Sequence, residues 1–183
     1  MQYDIPITLH AGEVSEGDSS IQAEILDFGA RRIGHGYRMS HEMMQIVKDA
    51  GVHVEICPTT SVETGGWLYG DDTATKDWKD HPAVHMMKRG LSLSLNSDDP
   101  SVFDTSLTWQ WRIALGKMGL TVEQVQEMTK HAIRAAFLSD DEKESLLELV
   151  EQHTPLHMQP RLLQKHSFSD RVAGKYQVCM ENC

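Results

Sequence analysis

The chain has 183 residues, of which 40% are hydrophobic and 24% are charged. This composition excludes disordered, fibrous and membrane-spanning chains and favours a globular domain. Acidic residues outnumber lysine plus arginine by 27 to 17, giving a formal charge of -10, so a broad surface for nucleic acid or anionic lipid is not expected. Three cysteines are too few for a disulfide framework. We therefore predict a cytoplasmic protein that binds neither nucleic acid nor membranes.

Short apolar segments alternate with helical patterns along the first part of the chain. Strands are predicted at 5–9, 32–36, 52–56 and 91–95. Helices are predicted at 18–28, 40–50 and 82–89, and three more follow the last strand at 105–118, 121–137 and 139–152. Caps are predicted for three of them: Ser40, a Thr121/Gln124 capping box and a Ser139/Glu142 capping box. Residues 59–80 lack periodicity and are predicted to form a functional loop.

This alternation predicts an α/β fold with a parallel sheet and right-handed crossovers. A strand-helix unit of a (β/α)8 TIM barrel has about 30 residues and a whole barrel about 250, so four units amount to half a barrel. We predict one domain over residues 1–152 and a weakly ordered tail over 153–183, where proline and glycine interrupt any periodicity.

Polar residues cluster where the predicted strands end, which is where parallel α/β sheets carry their functional sites. Asp98 and Asp99 are consecutive carboxylates whose mutual repulsion a cation would relieve. His10 adds an imidazole, and an imidazole with a carboxylate suits zinc when further donors complete the site. Glu13 and His35 supply titratable groups for proton transfer. This set predicts metal-assisted hydrolysis.

Each candidate also has an ordinary structural explanation. His35 alone would more often be a hydrogen-bonded structural residue, Glu13 an exposed loop acid, and Asp98 part of a turn before proline. His81 and His85 lie four residues apart on a predicted helix and could bind a metal. Because no third ligand accompanies them, we predict that they belong to a solvated helix face.

Taken together, the strand-end motifs resemble those of the adenosine deaminase family of zinc hydrolases, in that family's order. The motifs are HAGE at 10–13, RIGHG at 32–36, VEICPTTS at 54–61 and SLNSDDP at 94–100, followed by HAIRAAFLSDDEK at 131–143. The resemblance covers residues 3–152. It implies the second half of a (β/α)8 barrel, with strands five to eight and their helices.

The resemblance also implies a role for each candidate residue. His10 and Asp98 would be zinc ligands. Glu13 would bind the substrate and give a proton to purine N1, and Asp99 would hydrogen-bond N7 and the attacking oxygen. His35 would position or deprotonate the water that attacks carbon 6. The implied reaction is hydrolytic deamination of a small purine nucleoside, from adenosine to inosine.

The family's pattern includes two further zinc histidines, as a His-x-His pair after its first strand, and this sequence contains no such pair. We therefore predict weak or absent zinc binding by this chain alone. A half barrel would expose two strand edges and an apolar inner face, so self-association is a further expectation. Pairing of two copies would not recreate the missing histidines.

Three functions remain open from the sequence. The chain belongs to an adenosine deaminase whose activity depends on the other half of the barrel. Alternatively, it is a non-catalytic truncated fragment or isoform that acts at most as a binding partner. The third possibility is a related deaminase that acts on adenine or another purine.

Overall fold

The computed structural model describes residues 5–13, 17–67 and 77–152. Four parallel strands form one sheet in the order in which they occur along the chain. They are β1 (Thr8–Ala11), β2 (Arg32–His35), β3 (His53–Ile56) and β4 (Leu93–Leu95). This arrangement confirms the predicted α/β class with a parallel sheet, and helices lie between consecutive strands along the chain.

Eight α-helices accompany the sheet in the described residues. They are α1 (Gly17–Leu26), α2 (His41–Asp49), α3 (Pro58–Glu63), α4 (Pro82–Lys88), α5 (Pro100–Phe103), α6 (Leu107–Gly116), α7 (Val122–Ala135) and α8 (Asp140–Gln152), with a 3-10 turn at Trp78–Asp80. None of the described helices combines the length and hydropathy needed to cross a membrane.

The two faces of the sheet differ in chemistry. One row across it, Leu9, Ile33, Val54 and Leu93, is in register, and its last three members are buried in the apolar core with residues of the helices. Because side chains alternate along a strand, the neighbouring rows face the other way. The helices therefore cover the apolar face of the sheet.

The opposite face is polar, so the prediction of an apolar inner face is wrong. Glu55 accepts a hydrogen bond of 2.9 Å from the hydroxyl of Thr8 and one of 2.9 Å from Nε of Arg32. His53 bonds to the hydroxyls of Ser92 and Ser94. Period-two alternation places these residues together on the face opposite the apolar core, and their polar groups satisfy one another.

The first strand lies nearer the site than predicted. It spans Thr8–Ala11 rather than 5–9, and Ile5 is 71% exposed. Pro6 has no N–H to give to a ladder, whereas the Ala11 carbonyl accepts from the Gly36 amide at 2.9 Å. His10 therefore lies within the strand, where its position is fixed by pairing with β2.

The prediction of a loop over 59–80 is wrong for its first part, which forms α3 (Pro58–Glu63). The short helix α5 was not predicted either, and both helices begin with a proline at the first position. Proline there gives up an amide that has no helical partner anyway. Residues 68–76 of the predicted loop and the predicted tail at 153–183 lie outside the described residues.

Helix-capping predictions are confirmed at three helices. Ser40 accepts from the Met43 amide at the start of α2. Thr121 and Gln124 form the predicted reciprocal capping box of α7, and Ser139 exchanges hydrogen bonds with Glu142 before α8.

Candidate active site

Four of the predicted site residues meet at the carboxyl ends of the strands. Nε2 of His35 lies 2.7 Å from Nδ1 of His10, 3.7 Å from a carboxylate oxygen of Glu13 and 4.0 Å from one of Asp98. His35 is the last residue of β2 and His10 the last but one of β1, the adjacent parallel strand, and the other two residues follow β1 and β4. The sheet therefore brings one imidazole nitrogen into reach of a second imidazole and two carboxylates.

The backbone is strained at two of these four residues. Three non-glycine residues in the described part of the chain have positive φ, and two of them are His35 at 71° and Asp98 at 57°. Such conformations cost about 1–3 kcal/mol and persist where the surrounding structure imposes them. Strain at these two positions directs both side chains into the same cleft.

His35 is held as a neutral base-like group rather than as a cation. Its side chain is 2% exposed, and burial lowers its pKa, although Glu13 and Asp98 partly oppose this effect. Burial disfavours the imidazolium because the charged form loses its hydration. At neutral pH the ring therefore keeps one nitrogen lone pair available for a proton.

Tyr37 supports His35 from behind and was not identified from the sequence. Its hydroxyl lies 3.4 Å from Nδ1 of His35, donates to the Cys57 carbonyl at 2.8 Å and accepts from the Cys57 amide at 3.1 Å. Burial raises the pKa of this phenol well above its ordinary value, so the hydroxyl stays protonated. A tyrosine two residues after a strand-end histidine was the only signal available in the sequence.

The described residues contain two groups of possible metal ligands. Within each group, the ligand atoms lie within 4.8 Å of one another. One group is His10, Glu13 and His35, and the other is His35, Cys57 and Asp98. Imidazole nitrogens and carboxylate oxygens are ligands that zinc accepts. Burial raises the pKa of the Cys57 thiol, so that residue is a poor ligand. The imidazole and carboxylate donors that remain are chemically suited to zinc. His10 and Asp98 belong to different groups, and His35 belongs to both.

His10, His35 and Asp98 border a cavity of about 390 Å³. Besides His10, His35 and Asp98, its wall includes Glu55 and the exposed apolar side chain of Leu107. Glu55 lies on the polar sheet face and was not predicted as a site residue. The cavity thus combines polar groups at the strand ends with an apolar wall from α6, as small-molecule sites commonly do.

Asp99 stands apart from this cluster. It is exposed, precedes α5 as its N-cap residue, and its backbone carbonyl accepts from the amides of Val102 and Phe103. It belongs to neither group of metal-ligating atoms found in the described residues. Its predicted contact with substrate stays a prediction.

The prediction that His81 belongs to a solvated helix face is wrong. His81 is 0% exposed, its Nδ1 accepts from the Ala83 amide at 3.1 Å and its Nε2 lies 3.0 Å from the Ser61 hydroxyl. Both ring nitrogens are therefore engaged in capping α4 and joining it to α3. His81 is a structural residue, whereas His85 on the same helix is exposed.

Comparison with known proteins places these observations in a family. The family model described as adenosine deaminase matches residues 1–153. The adenosine deaminase of Enterococcus faecalis is 33% identical over 153 residues, covering 82% of this chain and 42% of that protein. The adenosine deaminase of Bos taurus is 32% identical over 146 residues, covering 78% of this chain and 38% of that protein.

Solved structures give the same result. The N6-methyl-AMP deaminase of Arabidopsis thaliana is 31% identical with a TM-score of 0.70, covering 84% of this chain and 43% of that one. Adenine deaminase from Arthrobacter aurescens is 26% identical with a TM-score of 0.69, covering 81% of this chain and 43% of that one. An amidohydrolase from Burkholderia ambifaria, solved with bound zinc, shares the fold at 21% identity and a TM-score of 0.71, covering 82% of this chain and 40% of that one.

The chain spans about two fifths of the length of the curated relatives that it matches. Within that span, the matched region contains the whole described sheet, the helices and all four residues of the cluster. The chain belongs to the adenosine deaminase family.

Proposed function

We propose that this chain provides four of the eight strands, the family's fifth to eighth, and part of the active site of a zinc-dependent adenosine deaminase. The reaction is hydrolytic conversion of adenosine to inosine and ammonia. The observation that carries the proposal is the convergence of His10, Glu13 and Asp98 on Nε2 of His35 at the carboxyl ends of the sheet. Family membership supports the same reaction class.

His10 and Asp98 would hold the zinc ion, which supplies a water molecule activated for attack near neutral pH. Both residues lie on the wall of the same cavity. Two protein ligands are fewer than the three that catalytic zinc sites use. Full affinity therefore depends on donors from the part of the barrel that this chain does not contain.

Glu13 and His35 divide the proton transfers between them. Glu13 gives a proton to N1 of the purine as the water oxygen bonds to carbon 6, and His35 accepts the proton that this water loses. The bond from carbon 6 to the amino nitrogen then breaks as that nitrogen takes the proton held by His35 and leaves as ammonia. The new hydroxyl at carbon 6 gives its proton back to Glu13 and becomes the carbonyl oxygen of inosine. The lowered pKa of His35 keeps it neutral and able to accept a proton.

Asp99 completes the proposed set as a hydrogen-bonding partner of N7 and of the attacking oxygen. It is exposed, next to Asp98, at the start of α5. N7 offers only a lone pair, so in the proposed contact the carboxyl group donates a hydrogen bond to N7, and it also hydrogen-bonds the attacking oxygen after substrate enters. Its contribution is therefore to orientation of the ring rather than to holding the metal.

A second candidate substrate class is a related purine. Relatives of known structure include an adenine deaminase and an N6-methyl-AMP deaminase. The proposed steps act on N1, N7 and carbon 6 of the purine, which all these substrates share. We place adenosine first because the curated relatives are adenosine deaminases.

The test is ammonia release from adenosine, adenine and N6-methyl-AMP by the purified chain at high concentration with added zinc. We expect release from adenosine and a loss of about 10²- to 10⁴-fold in Glu13→Gln, because a general acid contributes about that much. Glu42→Gln, an exposed glutamate of α2, is the matched control and should retain the rate. No release from any of the three substrates would overturn the proposal and favour a non-catalytic fragment.

A further inference from the structure

Tyr37 makes three hydrogen bonds through one buried oxygen. Its hydroxyl lies 2.8 Å from the Cys57 carbonyl, 3.1 Å from the Cys57 amide and 3.4 Å from Nδ1 of His35. The residue is 5% exposed. The ends of β2 and β3 are thus tied together behind the imidazole that faces the cleft.

Counting donors and acceptors fixes where the protons lie. A phenol has one O–H to donate and two lone pairs to accept with. A carbonyl only accepts, so the Cys57 carbonyl takes the single hydroxyl proton of Tyr37. A backbone amide only donates, so the Cys57 amide occupies one lone pair. The remaining lone pair can only accept, and the partner that must donate to it is Nδ1 of His35.

We propose that Tyr37 is a positioning residue that holds His35 in the tautomer protonated at Nδ1, so that the lone pair of Nε2 faces the cleft. The backbone of Cys57 prevents the hydrogen bond between Tyr37 and His35 from running in the opposite direction. Its carbonyl and amide hold the hydroxyl proton of Tyr37 away from the histidine. Without that constraint, a tyrosine hydroxyl could equally donate to Nδ1 and leave the proton on Nε2.

This tautomer explains the contact between the two histidines. Nε2 of His35, as an acceptor, lies 2.7 Å from Nδ1 of His10, so the proton between them belongs to His10. Among the described residues, the atom of His35 that meets His10, Glu13 and Asp98 is therefore a lone-pair nitrogen. A proton acceptor in the proposed reaction also needs an Nε2 that carries no proton of its own.

The inference rests on the proposed function only where it names His35 as a proton acceptor. The tautomer itself is a property of the chain without substrate, so it can be measured separately. If ammonia release is absent but the tautomer is as inferred, the proposed function fails and the role of Tyr37 stands. If release occurs with the other tautomer, the role of Tyr37 fails alone.

The experiment is long-range proton–nitrogen NMR on the nitrogen-15-labelled full chain at neutral pH, with the His35 ring assigned by its loss in His35→Asn. We expect an N–H signal at Nδ1 and a lone-pair type nitrogen at Nε2. In Tyr37→Phe the Nδ1–H form should cease to be the dominant tautomer. Ser61→Ala removes a hydroxyl beside another buried histidine, His81, and should leave the His35 signals unchanged.

Two results would overturn the inference: Nε2–H as the main form in the unmodified chain, or unchanged His35 signals in a folded Tyr37→Phe. If Tyr37→Phe does not fold, replacement of tyrosines by 3-fluorotyrosine keeps the ring size and hydroxyl but weakens the oxygen as an acceptor. The NMR signal of the Nδ1–H proton of His35 should then shift. The signal of the ring N–H proton of His53, whose two nitrogens bond to serine hydroxyls, should not. An unshifted His35 proton would contradict the proposal.

Discussion

At the scale of single residues, Gly36 shows how the site depends on backbone geometry. It follows His35 with φ of 63°, and an added Cβ would lie 2.5 Å from Cε of Met39 and 3.3 Å from a methyl group of Val54. We expect Gly36→Ala to lower the free energy of unfolding by about 2–4 kcal/mol, from left-handed strain plus overpacking. Urea unfolding followed by circular dichroism measures this change.

The matched control is Gly51→Ala. Gly51 also has positive φ, 67°, but an added Cβ would meet no described atom within 4 Å. Only the conformational strain remains, at roughly 1–2 kcal/mol. Equal losses in the two variants would show that crowding near Met39 contributes nothing to the requirement for glycine.

Two buried histidines predict how stability depends on pH. Burial lowers the pKa of His53 to about 4, with Glu55 opposing, and the pKa of His81 to about 3, with His85 adding to the effect. Both take up their proton on unfolding, so the stability they contribute is complete above the unfolded pKa of about 6.5 and falls as pH drops below it. Between pH 7 and pH 5 each should cost roughly 2 kcal/mol.

The test compares urea unfolding at pH 7, 6 and 5. His53→Asn should remove about half of the loss attributed to this pair, because one of the two protonating groups is gone. Val54→Ala, a buried variant without a titratable group, should lower stability equally at every pH. A pH slope that His53→Asn leaves unchanged would contradict the assignment of its pKa.

The residues of the site divide into those that sequence patterns predict and those that need coordinates. His10, Glu13, His35 and Asp98 were predicted because polar residues at the ends of parallel strands meet on one edge of a sheet. Tyr37 was missed because its importance lies in a hydrogen bond to Cys57, twenty residues away in sequence. A contact of that kind leaves no local pattern.

At the scale of elements, helix caps are the features that the sequence predicts best, and α7 allows a direct test. Thr121 accepts from the Gln124 amide, and Thr121→Ala should lower the free energy of unfolding by about 1 kcal/mol. Thr129 of the same helix donates to the Val125 carbonyl one turn back and caps no helix end, so Thr129→Ala should be neutral or slightly stabilising. Thermal and urea unfolding of both variants would separate the two effects, and equal losses would contradict a capping role.

The elements that the sequence failed to predict have a common physical cause. Helices α3 and α5 are short and begin with proline directly after a strand end. A proline both ends an extended segment and fits the first turn of a helix, and six or four residues are too few to show a helical period. Local patterns therefore predicted that the strands end before Pro58 and Pro100, without showing that helices begin at these prolines.

At the scale of the whole molecule, the two faces of the sheet explain why an inner-face prediction failed. Apolar and polar residues alternate along β3, and the apolar pair Val54 and Ile56 packs in the core, which leaves His53 and Glu55 on the other face. A polar face lowers the tendency of the described sheet to associate with apolar surfaces of other molecules. Its edge strands β1 and β4 still each pair on one side only among the described residues, so self-association through them stays a prediction.

Zinc affinity is also a property of the whole molecule, because the two proposed ligands, His10 and Asp98, are fewer than a catalytic site requires. We expect the dialysed chain to retain less than one zinc per molecule and to bind added zinc weakly in calorimetric titration. His10→Ala should reduce that binding at least about tenfold, because each lost ligand removes a metal bond that bound water replaces poorly. His85→Ala, which removes an exposed histidine of α4, should leave it unchanged. Stoichiometric zinc after dialysis would show that the chain supplies enough donors by itself, and equal binding by the two variants would place the metal elsewhere.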